Sequence, residues 1–497
     1  KHDLHIMGGF QAENLKQTQF GLQRDGIMFP NKPQVDLTNG LDYDGNPITP
    51  SVNGSRNDWA TAGFFGRINY SYDGKYLLEA NLRADGTSRF RKGNQWKTFP
   101  SFSLGWNVAR EHFFEPLNNI VNILKFRASY GLLGNQNTTN WYQTYQTMSV
   151  GSSNGAWLMN GNKPNTASAP GLVSASLTWE TIESYNLGLD WGVFNNRLTG
   201  SFDWYIRDTK NMVGNAPELP ALLGTGVPIT NNTDLRTSGW ELSIGWNDRL
   251  NNGFTYGAKF NVSDARTKIT RYPNNPTKAV STYIEGRYTN EIWGYTTVGL
   301  AKTDEEMQAH LATMPNGGQS ALGSDWKAGD IMYADINGDG KISGGSGTLN
   351  DTGDWTVIGN TTPRYLFGLD LNASWKGFDL RMFFQGVMKR DFWQGSTYLF
   401  GASNSGMWHA TGIESVSDYF RNDDTWSVQE GYQSPNINSY LPRPLYSNKN
   451  LQTQTRYLQS AAYIRLKNLQ LGYTFPTRLT SRYGVQNLRI YFSGENL

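Results

Sequence analysis

Apolar and polar residues alternate along much of this chain, for about ten residues at a time. In the segment 64–72, Phe64 and Ile68 fall on one side, whereas Arg67 and Asn69 fall on the other. Successive side chains of a β-strand point to opposite faces, so this pattern predicts strands with one apolar and one polar face. Strands of soluble proteins usually run five or six residues, whereas a tilted strand that crosses a bilayer needs about 9–11. The length of the pattern therefore favours membrane-crossing strands over a soluble β-sandwich.

The two faces predict what each side of the strands contacts. Charged residues in mid-strand, such as Lys125 and Arg127, suit a water-filled lumen, and the apolar residues suit lipid. We expect the following residues to face lipid: Phe64, Ile68, Tyr70, Leu124, Phe126, Trp240, Leu242, Phe367 and Leu369. We expect the following residues to face the lumen: Arg67, Arg83, Lys125, Arg127, Glu241 and Asp370.

The same pattern predicts thirteen strands, joined by links that alternate strictly between short and long. The strands lie at about 4–12, 59–71, 76–84, 99–110, 123–132, 180–190, 198–208, 236–246, 254–264, 364–374, 378–388, 462–475 and 488–494. The short links are 73–75, 111–122, 192–196, 248–252, 376–377 and 476–487, and the long links are 13–58, 85–98, 133–179, 209–235, 265–363 and 389–461. Short turns on one side and long loops on the other are typical of an outer-membrane barrel, where the long loops are extracellular.

Composition excludes several other classes of protein. The formal net charge of +2 gives no electrostatic reason to expect a nucleic-acid partner. The chain contains no cysteine, which leaves neither disulfides nor thiolate metal sites within it. The carboxylate pairs Glu305-Glu306 and Asp423-Asp424 are adjacent in predicted loops, and adjacent carboxylates do not flank one glycosidic bond. No catalytic residue is predicted, and we do not expect an enzyme.

Several segments resemble the SusC/RagA family of TonB-linked outer-membrane proteins of Bacteroidetes-type bacteria. They occur in the order of that family and span nearly the whole chain. The segments are 81–90, 99–101, 105–106, 124–131, 333–342, 357–363, 377–380, 463–468 and 491–497.

This resemblance implies an all-β fold, a transmembrane antiparallel β-barrel of about 22 strands closed by a plug. Residues 1–497 would form a single domain, the C-terminal portion of the receptor barrel, with about thirteen of those strands and long extracellular loops. By this resemblance the plug, the segment that contacts TonB and the first strands would lie outside this chain, and one strand would be missing at its end, so the domain would be incomplete at both ends.

The resemblance also implies a function, namely active import of oligosaccharides or peptides through the outer membrane. Import would be driven by TonB, and a SusD-like surface lipoprotein would bind cargo and cover the barrel. Two alternatives stay open. One is a soluble surface glycan-binding β-protein, and the other is a siderophore-type receptor or porin without a lid.

One motif suggests a metal site, because residues 335–342 read as the first half of a calcium loop. Gly340 occupies the sixth position, where the loop turns sharply, but Ser346 stands where a bidentate carboxylate is usual. The family resemblance implies Asp354 as the later carboxylate, with Asp351 as a rival. The predicted ligands are three side chains, one backbone carbonyl and this carboxylate: Asp335, Asn337, Asp339, Lys341 and Asp354.

We expect this site to hold structural calcium, because a long extracellular loop with few buried apolar contacts needs a local staple to offset its ordering entropy. The alternative is a plain turn without an ion.

Aromatic residues in two predicted loops are candidates for contact with cargo or partner. They are Trp141, Tyr142 and Trp157 in one loop and Trp393 and Trp408 in the other. Aromatic planes beside amide and hydroxyl groups suit stacking on sugar rings. The alternative is that these side chains pack the loops onto one another or onto the lipoprotein.

Overall fold

A computed structural model of the chain describes residues 1–138, 140–148, 150–151, 158–167, 170–217, 220, 222, 224–395, 418–445 and 447–497. The strands are β1 (His2–Gln23), β2 (Ser51–Tyr72), β3 (Tyr76–Thr87), β4 (Trp96–Asn107), β5 (Val121–Asn135), β6 (Val150–Gly151), β7 (Thr166–Ala167), β8 (Glu180–Val193), β9 (Leu198–Asn215), β10 (Ile229–Arg249), β11 (Thr255–Arg271), β12 (Glu291–Gly294), β13 (Thr297–Leu300), β14 (Ile331–Tyr333), β15 (Thr356–Asn360), β16 (Arg364–Trp375), β17 (Phe378–Lys389), β18 (Asp391–Trp393), β19 (Leu458–Ser460), β20 (Tyr463–Thr474) and β21 (Arg489–Glu495). The helices are α1 (Asp304–Ala312), α2 (Trp426–Gln429) and α3 (Thr477–Thr480).

Thirteen of the described strands form one sheet, in the order β1-β2-β3-β4-β5-β8-β9-β10-β11-β16-β17-β20-β21. Neighbours in the sheet are neighbours along the chain, apart from short strands within the links. Every sheet pair whose register is described is antiparallel. Each predicted strand corresponds to one strand of this sheet, which confirms the fold class. No helix among the described residues is long and apolar enough to cross a bilayer.

The predicted bounds of the first two strands are wrong, because β1 and β2 each run 22 residues. Their pairing continues without a break from His2 opposite Tyr72 to Gln23 opposite Ser51. The apolar alternation ends well before this pairing does, since backbone hydrogen bonds between strands do not depend on side-chain polarity. The hydrophobic pattern therefore marks the apolar part of each strand and misses its polar extension.

The strict alternation of link lengths fails at one place. The predicted long link 85–98 shrinks to 88–95, because β3 and β4 extend into it. The next link, with a predicted short span of 111–122, covers 108–120 and is the longer of the two. It contains two 3-10 helices, Val108–Arg110 and His112–Leu117, which bury Val108, Ala109 and Phe114.

The register divides apolar from polar residues as predicted. Side chains paired directly across two strands point to the same face. Ile6 pairs with Ile68 and Phe10 with Phe64, and all four are large apolar residues that stay exposed. On β10, β11 and β16, the successive partners Leu242, Val262 and Phe367 likewise share one face.

The opposite face carries the charges. Arg83 donates a hydrogen bond to Asp85, with Nε 2.7 Å from the nearer carboxylate oxygen. Arg127 binds both Asp190 and Asp203, at 2.8 and 2.9 Å. Exposed apolar side chains on one face and ion pairs on the other are the distribution that a wall between lipid and water requires.

The chain divides into two compact units. The first comprises residues 1–104, 129–183 and 209–232, and its core is a cluster of Phe90, Phe99, Leu177 and Trp179. The second comprises residues 105–128, 184–208 and 233–497 and contains a larger core, which lies in the links between strands.

Candidate functional site

The described parts of two long links of the second unit, residues 272–363, 390–395, 418–445 and 447–462, fold into a packed body that we call the loop body. The link 272–363 joins β11 to β16, and the link 390–462 joins β17 to β20. Because only the short link 376–377 separates β16 from β17, both long links leave the sheet at the same end. They bury the most extensive hydrophobic cluster in the described part of the chain: Tyr295, Leu300, Ala301, Met307, Met314, Trp326, Ala328, Ile331, Met332, Tyr333, Ile342, Phe420, Leu441 and Tyr457. The expectation of few buried apolar contacts in these loops is wrong.

Short secondary structure gives this loop body its frame. Strand β12 pairs with β15, β13 with β14, and β18 with β19. Helix α1 begins after Thr303, whose hydroxyl accepts a hydrogen bond from the backbone N–H of Glu306 at 3.2 Å. Glu305 and Glu306 lie in the first turn of α1, where negative charge stabilises a helix. That position accounts for this carboxylate pair without any catalytic role.

A buried ion cluster joins the two links. The carboxylate of Asp330 is fully buried and accepts hydrogen bonds from Nε and Nη2 of Arg443, both at 2.8 Å, and from Asn450 at 2.9 Å. Lys449 Nζ lies 2.9 Å from Asp330 and also donates to the carbonyl of Ser324 at 2.8 Å. Burial alone would raise the pKa of Asp330, but the hydrogen bonds from Arg443, Asn450 and Lys449 hold it below its ordinary value. The carboxylate is therefore ionised at neutral pH and fixes both cations.

The predicted calcium loop is a tight turn held by its own hydrogen bonds. Asp335 accepts one bond from the N–H of Gly338 at 2.7 Å and another from the N–H of Gly340 at 2.8 Å. Asp339 accepts a bond from the N–H of Lys341 at 3.0 Å. Gly338 and Gly340 have φ values of 74° and 80°, which favour glycine. The sequence motif therefore forms the sharp turn that it predicts.

Asp354 binds the backbone on both sides of this turn. Its carboxylate is fully buried and accepts bonds from the backbone N–H groups of Ile336 and Ser343, both at 2.8 Å. Burial raises the pKa of Asp354, backbone hydrogen bonds oppose the rise, and the charge of Asp335 adds to it. The rival Asp351 instead accepts a bond from the N–H of Ser346 at 2.8 Å and belongs to the adjoining turn.

The donor set suits a hard cation, because a carboxylate oxygen that accepts one N–H keeps a lone pair for a metal. In the described part of the chain, however, no group of three or more His, Cys, Asp or Glu side chains is arranged to hold a metal ion. The hydrogen bonds of the turn are sufficient to explain its shape. Calcium at this turn stays a prediction.

The predicted contact aromatics have different environments. The hydroxyl of Tyr142 accepts a bond from the N–H of Asp58 at 2.8 Å and lies 3.0 Å from its carboxylate, which ties the link 136–179 to β2. Trp141 stacks on the guanidinium of Arg89. Trp393 lies in β18 and packs against the core of the loop body. Trp157 and Trp408 lie outside the described residues.

Sequence reasoning missed one exposed aromatic pair in the loop body. Trp426 and Tyr432 are 67% and 72% exposed, and their ring centroids lie 5.5 Å apart. Both belong to the predicted long link 389–461. A search of this link for aromatic residues a few positions apart would have found them.

Comparison with known proteins places this chain among outer-membrane receptors. Residues 8–387 match the family described as "TonB dependent receptor-like, beta-barrel". The chain is 29% identical to TonB-dependent receptor P3 of Formosa agariphila over 511 aligned residues, which cover all of this chain and 46% of that protein. It is 27% identical to the TonB-dependent receptor SusC of Bacteroides thetaiotaomicron, over 87% of this chain and 40% of SusC. The chain thus spans less than half the length of these relatives.

A solved structure shares the fold. The chain superposes on a structure of the RagAB peptide transporter with a TM-score of 0.75 and 22% identity, covering all of this chain and 50% of that one. The resemblance to the SusC/RagA family that the sequence motifs indicated is confirmed.

Replacing Asp330 with Asn should loosen the loop body. The change leaves the buried Lys449 and the half-buried Arg443 without the carboxylate of Asp330, and such a loss costs about 3–5 kcal/mol in comparable buried pairs. Hydrogen–deuterium exchange in residues 324–333 and 443–454 should rise strongly in the complete protein, while exchange in β10 and β11 stays slow. Asp423→Asn removes an exposed carboxylate from the same body and is the matched control. Equal protection in the two variants would contradict the role of the cluster.

Proposed function

We propose a function for this chain from the family to which it belongs, the TonB-dependent receptor-like β-barrels. The chain is an outer-membrane protein, like its relatives in Formosa and Bacteroides. It would form part of the wall of an active importer that takes up oligosaccharides or peptides, powered by TonB and assisted by a SusD-like surface lipoprotein. Its relatives are named as receptors and transporters, and we assign it no enzymatic step.

The folded loop body carries this proposal. Two links at one end of the strands bury a common core and a charged cluster, so they form an ordered body. Loops that are held rigid on a strand scaffold commonly carry recognition. The loop body would therefore present a shaped surface to cargo or to a lipoprotein lid.

Two observations support the proposed cargo and the proposed lipoprotein partner. The exposed pair Trp426 and Tyr432 offers apolar ring faces beside polar loop residues, which suits sugar rings, peptide side chains or a protein partner. The fold is that of the RagAB peptide importer, and SusC is among the relatives. An importer with a lipoprotein lid fits these relationships better than a lidless siderophore-type receptor or a porin.

Transport and partnership can be tested together in the native organism. We expect an affinity-tagged version of the complete protein to co-purify with a surface lipoprotein. We also expect cells to lose accumulation of labelled oligosaccharides or peptides when either this gene or tonB is deleted. Uptake that persists without TonB would indicate a passive porin. Uptake that needs TonB but involves no lipoprotein would indicate a lidless receptor.

We also propose that the turn at Asp335 binds a structural calcium ion. Three side-chain oxygens at alternate positions and the carbonyl of Lys341 match the first half of a calcium loop, and Asp354 is a buried carboxylate beside them. Burial raises the pKa of Asp354, and the charge of Asp335 adds to that rise, so a cation bound here would stabilise both ionised carboxylates. The ion would hold the turn and would take no part in chemistry.

Chelation tests the calcium proposal without any transport assay. We expect calcium to protect residues 335–354 of the purified complete protein from limited proteolysis and EGTA to abolish that protection. The hydrophobic core of the loop body should persist in both conditions. Asp339→Ala should behave as the chelated protein does, and Asp423→Ala should respond to calcium as the wild type does. If EGTA does not change the cleavage, the calcium proposal is wrong and the turn binds no ion.

A further inference from the structure

One buried cation of the first unit has no countercharge in the part of the chain that the structure describes. Arg89 lies in the link 88–95 and is only 6% exposed. Its guanidinium lies between two indole rings, 4.8 Å from the ring centroid of Trp59 and 5.7 Å from that of Trp141. Its Nε has no hydrogen-bond partner, and no carboxylate forms an ion pair with it, among the residues that the structure describes.

Lys449 shows what a buried cation ordinarily requires. It is 3% exposed and also stacks on an indole, that of Trp326, at 4.5 Å. In addition it has the carboxylate of Asp330 and two backbone carbonyls as partners. Stacking on aromatic rings offsets only part of the cost of desolvating a charge. Among the described residues Arg89 has the stacking alone, and none of them supplies it with an anion.

The local structure holds Arg89 in this position. The N–H of Ser88 donates to the carbonyl of Ala60 at 2.9 Å, and the hydroxyl of Ser88 accepts a bond from the N–H of Ala60 at 3.0 Å. These bonds fix the start of the link against β2. The next residue, Phe90, is buried in the core with Trp179 and Phe99. The backbone of Arg89 is thus held on both sides, and its side chain is buried in this position.

Trp59, on which Arg89 stacks, lies on the polar face of the sheet. It lies an even number of residues from Arg67 along β2, so the two side chains share a face. That face carries the ion pair of Arg83 and Asp85 and is the face assigned to the lumen. The link 88–95 lies at the end of the strands assigned to the cell exterior. A group bound by Arg89 would therefore lie where cargo enters.

We propose that Arg89, with Trp59 and Trp141 as flanking walls, binds a carboxylate of the cargo. The planar guanidinium matches a carboxylate with two parallel hydrogen bonds, and the indole rings exclude water around that pair. The carboxylate could belong to a peptide or to a uronic acid, which share the same recognition chemistry. This inference rests on the proposed import function and specifies acidic cargo.

Binding to the purified complete transporter tests the site directly. The probes are a hexapeptide of neutral residues with a free C-terminal carboxylate, the same peptide amidated, trigalacturonate, and its methyl ester. Tryptophan fluorescence reports on binding, because two indoles flank the guanidinium. We expect the wild type to bind at least one acid at least about tenfold more tightly than its neutral counterpart, about 1.4 kcal/mol. A preference within the peptide pair alone indicates peptide cargo, and one within the sugar pair alone indicates acidic glycans.

Two variants separate the site from general effects. Arg89→Met should abolish the preference for acids while leaving the unfolding temperature unchanged or higher, because removal of an unpaired buried charge is not destabilising. Lys92→Met removes the same charge from an exposed position of the same link and should keep the preference. Equal binding of acid and neutral probes, no binding of either acid, or an unaltered preference in Arg89→Met overturns the proposal. Because this assay needs neither TonB nor uptake, its failure is distinct from failure of the import function.

Discussion

The antiparallel register of the sheet is the constraint on which the other features depend. Because side chains alternate between faces, a shift of one residue in any pair would exchange the apolar and polar sets of that strand. The observed pairs keep Leu242, Val262 and Phe367 together on one face and keep Lys259 and Asp370 together on the other. The apolar face can then meet lipid, while the charges pair with one another on the water side.

The two long links of the second unit form a hydrophobic core that is separate from the sheet. Hydrogen bonds between neighbouring strands satisfy the backbone N–H and C=O groups of the sheet without help from the links. The links between β11 and β16 and between β17 and β20 form a separate hydrophobic core. That core buries Tyr333 and Tyr457 completely and encloses the charge cluster at Asp330. Breaking a buried ion pair is costly, so this cluster specifies how the two links meet. The two links are therefore joined by both a hydrophobic core and a buried charge cluster.

The sequence predicts the sheet well because period-two alternation is a local property. All thirteen strands follow from it, although the polar ends of β1 and β2 escape because only pairing marks them. The loop core could not be predicted in this way. Its members, such as Met307, Tyr333 and Tyr457, are scattered through two links without a period, and Asp330 meets Arg443 from a distant part of the chain.

The candidate sites show the same division. The turn at Asp335 follows from the spacing of residues within an eight-residue segment, so the sequence predicts its shape. The same segment does not reveal whether the turn binds an ion. Tyr142 and Trp141 were identified as loop aromatics, yet their partners Asp58 and Arg89 come from other strands and links. Arg89 lies within a segment that carries the family resemblance, and only the tertiary structure reveals that it is buried and that no described carboxylate pairs with it.

The central claim is that these strands cross the outer membrane with their apolar face in lipid. The absence of cysteine from this sequence allows single nitroxide labels to be placed at successive positions of β16. Accessibility to oxygen, which concentrates in lipid, and to a water-soluble nickel complex should then be measured from 366 to 372. We expect oxygen accessibility to peak at Phe367, Leu369 and Leu371 and nickel accessibility to peak at Gly368, Asp370 and Asn372. Accessibility to nickel at every position, with no alternation, would contradict the account.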